Sequence, residues 1–127
     1  MTNLRTPLAR VRHLGSAKSG TAHWWAQRVT AVALVPLSIW FIASVVALAG
    51  EDYATVAAWL GSPIPAGLMI LLIVATFHHA QLGLQVVIED YVHHEGIKIA
   101  SILAVKGAAV LLGLASVLSV LTLLFGG

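Results

Sequence analysis

The sequence predicts an all-α integral membrane protein of three transmembrane helices, with the N-terminus inside and the C-terminus outside. Two compositional facts and one pattern carry that prediction. Of the 127 residues, 59% are hydrophobic and only 9% are charged. A soluble domain usually has about a quarter charged residues to cover its solvated face, so here the bilayer must be the solvent for most of the surface. The pattern is three apolar runs, at about 29–49, 66–92 and 97–125. Each reaches the roughly 20 residues that a helix needs to cross a ~30 Å hydrocarbon core. A membrane barrel would instead show ~10-residue alternating segments, at least about eight of them.

Residues 1–28 read as an N-terminal cytoplasmic segment and 29–127 as one three-helix transmembrane domain, with no second region of soluble composition. Arg5, Arg10, Arg12, Lys18 and Arg28 precede or open the first apolar run, and only Lys98 and Lys106 follow. No aromatic-interleaved basic motif accompanies them, so topology explains them better than a nucleic-acid partner. By the positive-inside rule this end stays in the cytoplasm. The first connection is then outside, the second inside and the C-terminus outside. The basic segment leads into a span too long for a signal-peptide core and lacks a convincing cleavage site. Its Arg-rich, acid-free first twenty residues faintly resemble a mitochondrial transit peptide. The expected location is the bacterial inner membrane, ahead of the mitochondrial one.

In the first span, Trp24 and Trp25 sit at the inner interface, where amphipathic rings prefer to lie. Pro36 is expected to bend this helix, since neighbours in a membrane can re-satisfy the freed backbone. The connection over residues 51–65 carries Glu51 and Asp52 and no basic residue, with Tyr53 and Trp59 near the outer interface. Pro63 and Pro65 mark the start of the second span. The second connection, around residues 91–98, has mixed charge. The third span holds Ala104/Ala108 and Ala109/Gly113, small residues four apart that permit close helix approach. Lys106, about two turns into that span, either snorkels inward or pairs within a complex.

There are no cysteines. This chain therefore offers no disulfide, iron–sulfur ligand or thiolate metal site, and redox chemistry would need a bound cofactor held by other groups. Six histidines are available. His79 is roughly halfway along the second span, where snorkelling cannot relieve it and where ionisable residues mark function by default. At about 100° per residue, position i+11 returns to within roughly 20° of position i. Asp90 thus shares a face with His79, three turns and about 16 Å along the axis. Gly83 is one turn from His79 on that face and leaves room for a flat macrocycle, while Tyr91 adjoins Asp90 near the inner surface. His78 points about 100° away, on a stripe with Leu82, Gln85 and Glu89, so one metal cannot take both histidines from one face. Of the two, the Gly83–Asp90 face favours His79 as a ligand. The alternative is a histidine that only hydrogen-bonds a neighbouring helix.

The spacing His79, Gly83, Asp90, Tyr91 resembles the second helix of the small membrane-anchor subunit of succinate dehydrogenase. Gly15, Ser16, Ala17, Lys18, Ser19 and Gly20, followed by His23-Trp24-Trp25 and Gln27-Arg28-Val29-Thr30-Ala31, resemble that family's approach to its first helix, most of all in its α-proteobacterial and mitochondrial-like branch. The resemblance covers nearly the whole chain. It implies that His79 is an axial ligand to the iron of a b-type haem, shared with a larger cytochrome b anchor subunit that supplies the second ligand. It implies that Tyr91 and Asp90 help form the ubiquinone pocket, the phenol donating to a quinone carbonyl. Arg28 matches a residue near the haem propionates, with His23 as a weaker candidate. A guanidinium there can pair bidentately with a carboxylate, and Arg28 also fits the positive-inside set alone. His93 and His94 read as solvated loop residues.

The implied function is membrane anchoring and quinone reduction in respiratory complex II, which links the tricarboxylic acid cycle to electron transport. Electrons would come from a flavoprotein subunit through an iron–sulfur subunit. This chain has no dicarboxylate site, so it is one part of an enzyme and holds no complete active site. Three other readings stay open: a fumarate reductase anchor running in the opposite direction, a small transporter or assembly subunit with His79 and Asp90 relaying protons, and a haem-free anchor.

Overall fold

The computed structural model describes residues 6–8 and 18–126, with only the backbone described at Lys18 and Ser19. Arg5, Arg10, Arg12 and the Gly15, Ser16 and Ala17 part of the first-helix motif lie outside the described residues. Among the described residues from Lys18 on, four helices follow one another: α1 (Lys18–Ala47), α2 (Tyr53–Leu60), α3 (Pro63–Tyr91) and α4 (Glu95–Leu124). Among the described residues, α1 from Gly20, α3 and α4 are long and apolar enough to cross a membrane, at 28, 29 and 30 residues. At 1.5 Å per residue each is about 42–45 Å long, more than the hydrocarbon core alone requires. The protein is a multi-pass membrane protein.

The helices outrun the apolar runs. α1 begins at Lys18, eleven residues before Val29, because polar residues in the interfacial region keep their intrahelical hydrogen bonds as well as apolar ones do. The helix continues unbroken through Pro36. It ends in a turn where Gly50 takes φ +88°, a left-handed conformation that glycine adopts without a Cβ penalty.

The first connection is itself partly helical. Asp52 caps α2, its carboxylate accepting from the Thr55 N–H at 2.9 Å. At the far end the Ser62 hydroxyl donates to the Trp59 carbonyl, and Pro63 opens α3, where a missing N–H costs nothing. Trp59 stacks on Trp40 of α1 with ring centroids 5.8 Å apart. Residues 92–94 join α3 to α4. His94 caps α4, its Nδ1 accepting from the Ile97 N–H at 3.2 Å, so this histidine has a structural role beyond that of a solvated loop residue.

α3 is the middle of a row. It packs against α1 on one side and α4 on the other, while α1 and α4 do not pack together among the described residues. The small α2 leans on α3 and α4. The interior is correspondingly thin. Ala66, Ala75, Leu82 and Val120 are buried, and no large side chain is fully enclosed. Val32, Val46 and Leu111 are 72%, 71% and 69% exposed. A water-facing surface rarely carries so continuous an apolar covering; lipid and neighbouring helices suit it.

Candidate functional site

The two sides of α3 are built from different residues. Toward α1, the stripe His23, Gln27, Thr30 faces α3, these positions returning to one side of the helix every three or four residues. Thr30 meets His79: Oγ1 and the imidazole Nδ1 are 2.9 Å apart. Gln27 meets Gly83, its Nε2 lying 3.8 Å from where a Cβ on that glycine would stand. The room beside Gly83 is therefore bordered, in this chain, by a side chain of α1.

The proton arrangement around His79 follows from the contacts. The Thr30 hydroxyl is 2.7 Å from the Ala26 carbonyl oxygen and 3.2 Å from that of Gln27. A carbonyl oxygen only accepts, so the single hydroxyl proton goes there. The Nδ1–H of His79 must then donate to Thr30 Oγ1, which leaves Nε2 as the nitrogen with the free lone pair. Nε2 has no hydrogen-bond partner among the described residues and is not sealed in the interface. The interhelical bond expected of a structural membrane histidine is present, and it uses one nitrogen only.

One and two turns toward the N-terminal end of α1, Gln27 Oε1 and His23 Nε2 are enclosed without a hydrogen-bond partner. An unpaired buried polar atom costs about 1–3 kcal/mol, so these two are an unmet polar demand on this seam among the described residues. Arg28, next to Gln27, is exposed, and its guanidinium lies over the Trp24 ring, 5.1 Å from the centroid. Trp24 and Trp25 form an edge-to-face pair at 5.0 Å.

Asp90 and Tyr91 occupy the last turn of α3, and Tyr91 is 77% exposed. Neither side chain has a hydrogen-bond partner among the described residues. Both remain on the face of His79 or beside it, about 16–18 Å along the axis. The row thus brings His79, His23 and the approach to Arg28 onto the α1 side, and places Asp90 and Tyr91 at the same end of the row as the start of α1, about 16–18 Å from His79. Among the described residues no three His, Asp or Glu side chains gather. The arrangement suits one-point ligation by an imidazole rather than chelation of a bare ion.

Two features were not anticipated from sequence. One is Thr30. The other is a ladder on α3, with Gln81 Nε2 donating to Gln85 Oε1 at 3.0 Å and Gln85 Nε2 donating to Glu89 Oε1 at 3.0 Å. The i, i+4 spacing of Gln81, Gln85 and Glu89 was the available signal. Gln81 and His78 also line a groove of ≈ 480 Å³ between α3 and α4, together with Lys106.

A multi-pass helical anchor, with a mid-span imidazole presenting one nitrogen, is the class these features define. The chain belongs to the succinate dehydrogenase/fumarate reductase transmembrane subunit family, whose model matches residues 2–123. It is similar to the succinate dehydrogenase hydrophobic membrane anchor subunit of Rickettsia bellii (strain RML369-C), at 34% identity over 93% of this chain and 94% of the relative. It is similar to the subunit of the same name from Paracoccus denitrificans, at 36% identity over 68% of this chain and 67% of the relative. The succinate dehydrogenase membrane anchor subunit of Reclinomonas americana is 32% identical over 80% of this chain and 87% of its own length.

Proposed function

We propose that this chain anchors a succinate:ubiquinone oxidoreductase in the bacterial inner membrane, co-ligates a b-type haem through His79 and contributes Tyr91 and Asp90 to the ubiquinone pocket. The observation that carries the reading is the state of His79. Its Nδ1 meets Thr30 Oγ1 at 2.9 Å, the contact that calls for the Nδ1–H tautomer, and its Nε2 has no partner among the described residues. A neutral imidazole in that tautomer is what an axial ligand must be. The larger cytochrome b anchor subunit would supply the second axial ligand, since the neighbouring His78 points about 100° away from His79 on the same helix.

The chemistry such a haem supplies is one-electron storage beside the quinone pocket. His23, with an unpaired enclosed nitrogen, and Arg28, five residues farther along α1, are the groups of this chain toward its propionates. Arg28 would exchange its aromatic contact for a carboxylate, a stronger partner for a guanidinium. At the end of α3, the unpartnered Tyr91 hydroxyl is free to donate to a quinone carbonyl, and Asp90 to hold the proton economy of that pocket. Arg28 and Lys98 lie at the same end as Tyr91, and Glu51 and Asp52 at the other. By the positive-inside rule this puts the quinone end on the cytoplasmic side, where the iron–sulfur subunit, itself fed by the flavoprotein subunit, would deliver electrons. The relatives are named for succinate dehydrogenase, which favours succinate oxidation over fumarate reduction.

The test is a reduced-minus-oxidised optical spectrum of the detergent-purified complex, wild type beside His79→Ala. A b-type signal reduced by succinate, lost in the variant, is the expected result. An unchanged signal in His79→Ala would move the ligand to His78. In parallel, Tyr91→Phe should lower quinone reduction by at least tenfold while succinate oxidation with an artificial acceptor stays intact. Equal retention of both activities would remove Tyr91 from the pocket.

A further inference from the structure

We infer that Thr30 is the positioning residue of the haem-ligating imidazole: its hydroxyl fixes the tautomer and the ring plane of His79 from the neighbouring helix. The inference rests on the reading of His79 as an axial ligand. Three observations build it. The Thr30 hydroxyl is anchored to its own backbone through the Ala26 carbonyl at 2.7 Å. It accepts from His79 Nδ1–H at 2.9 Å across 49 residues of sequence. The remaining nitrogen, Nε2, is the one left open.

The relay therefore runs from the α1 backbone, through one hydroxyl, to the ring on α3. A threonine is suited to this. Its β-branch restricts χ1, and its hydroxyl can bond the carbonyl four residues back within a helix. With the hydroxyl proton committed to that carbonyl, the oxygen can only accept from the ring. The same histidine without this partner would be free to exchange tautomers and to turn about its Cβ–Cγ bond. A hydrogen bond accepted from the distal N–H of a metal-bound imidazole makes the ring a better electron donor and orients it. That favours the ferric state.

The experiment compares Thr30→Val, Thr30→Ser and wild type in the purified, assembled complex. Three quantities are read: haem per polypeptide, rate of haem loss in detergent and midpoint potential. Valine keeps the branched shape and removes the hydroxyl; serine keeps the hydroxyl and the bond to Ala26. We expect Thr30→Val to lose haem at least tenfold faster, within the range typical of a lost outer-shell partner, and to have a raised midpoint potential. A tenfold preferential loss of ferric binding corresponds to about 59 mV for a one-electron couple. Thr30→Ser should stay close to wild type in all three. If Thr30→Val does not assemble, Thr30→Ala against Thr30→Ser makes the same comparison.

If the wild type carries haem, and the hydroxyl-free variant matches serine in haem retention and potential, Thr30 does not position the ligand, while the reading of His79 stands. A wild-type complex isolated with its soluble subunits but without haem would overturn both.

Discussion

The two flanks of α3 are held by unlike means. On the α1 flank, polar groups meet inside the contact: His79 on Thr30 at 2.9 Å, Gln27 against Gly83, and His23 enclosed a turn beyond. On the α4 flank, the contact is one of shape. Phe77 lies over Gly113, with its Cδ2 3.5 Å from the place of a Cβ, and the polar residues His78, Gln81 and Lys106 line the groove beside it with no hydrogen bond from α3 to α4 among the described residues. In lipid there is little hydrophobic gain from pressing helices together, so small residues and polar bonds carry association. This chain uses one device on each side of its central helix. The difference teaches that one central helix can be held by two means: shape on the α4 side, and polar contacts, His79 among them, on the α1 side.

The comparison can be broken most forcefully at Gly113. Gly113→Leu should push Phe77 out of its seat and destabilise the α3–α4 contact by about 2–3 kcal/mol, in the upper part of the range for overpacking. Thermal inactivation of the purified complex, read beside its haem spectrum, would register a loss of stability with an unchanged haem signal. A haem signal that changed first would mean the flanks are not separable.

Gly61 tests the same flank at its other end. A Cβ there would lie 2.6 Å from the backbone oxygen of Leu123, closer than real Cβ contacts come. Since backbone cannot swing aside, Gly61→Ala should lift α2 from the end of α4 at a cost of about 1–2 kcal/mol, read as a lower Tm without change in quinone reduction.

A smaller effect sharpens the α1 side. Gly83→Ala meets only Gln27 Nε2 at 3.8 Å, an ordinary contact, and alanine is the better helix former by roughly 0.5–1 kcal/mol. The packing of this chain therefore expects a neutral or slightly stabilising change. Loss of haem from Gly83→Ala, at unchanged Tm, would show that the space by Gly83 serves the cofactor as well as Gln27.

The smallest effect lies away from both flanks, at Asp52. Hydrogen bonds from the Thr55 side chain and then the Thr55 backbone hold its carboxyl below the usual carboxylate range. The folded pKa is depressed, so the cap contributes fully above the ordinary carboxylate value and is lost as pH falls through the lowered one. Hydrogen exchange at the Thr55 amide should quicken on acidification through that window. Asp52→Asn, which caps without titrating, should abolish the pH dependence.

Much of this was legible in advance, for reasons that can be named. Three long apolar helices follow from runs too long and too uncharged to be anything else. The His79 face was readable because 3.6-residue periodicity holds wherever a helix does, and it put Gly83 and Asp90 with His79. The ends of the helices were hidden. Apolarity reports contact with hydrocarbon, while helicity continues into the interface, so Lys18 begins a helix that the apolar run starts only at Val29. α2 escaped because eight residues make a weak pattern, though Asp52 before it and Ser62-Pro63 after it were readable caps. Thr30 escaped for another reason. A threonine in an apolar span carries no signal of its own, and its partner is 49 residues away. The same distance kept Gln27 from being seen as the residue opposite Gly83.

The row of spans has a consequence for how the protein comes to exist. Each crossing helix packs on the next crossing helix in the chain, α1 with α3 and α3 with α4, and among the described residues α1 has no contact with α4 to wait for. A nascent chain can therefore complete each pairing as soon as the following span leaves the insertion machinery, without rearranging an earlier one. Such short-range pairings assemble quickly. What emerges is a slab, one helix thick, whose two broad sides have no lining of their own. A newly made copy is finished as a fold before it is finished as a surface.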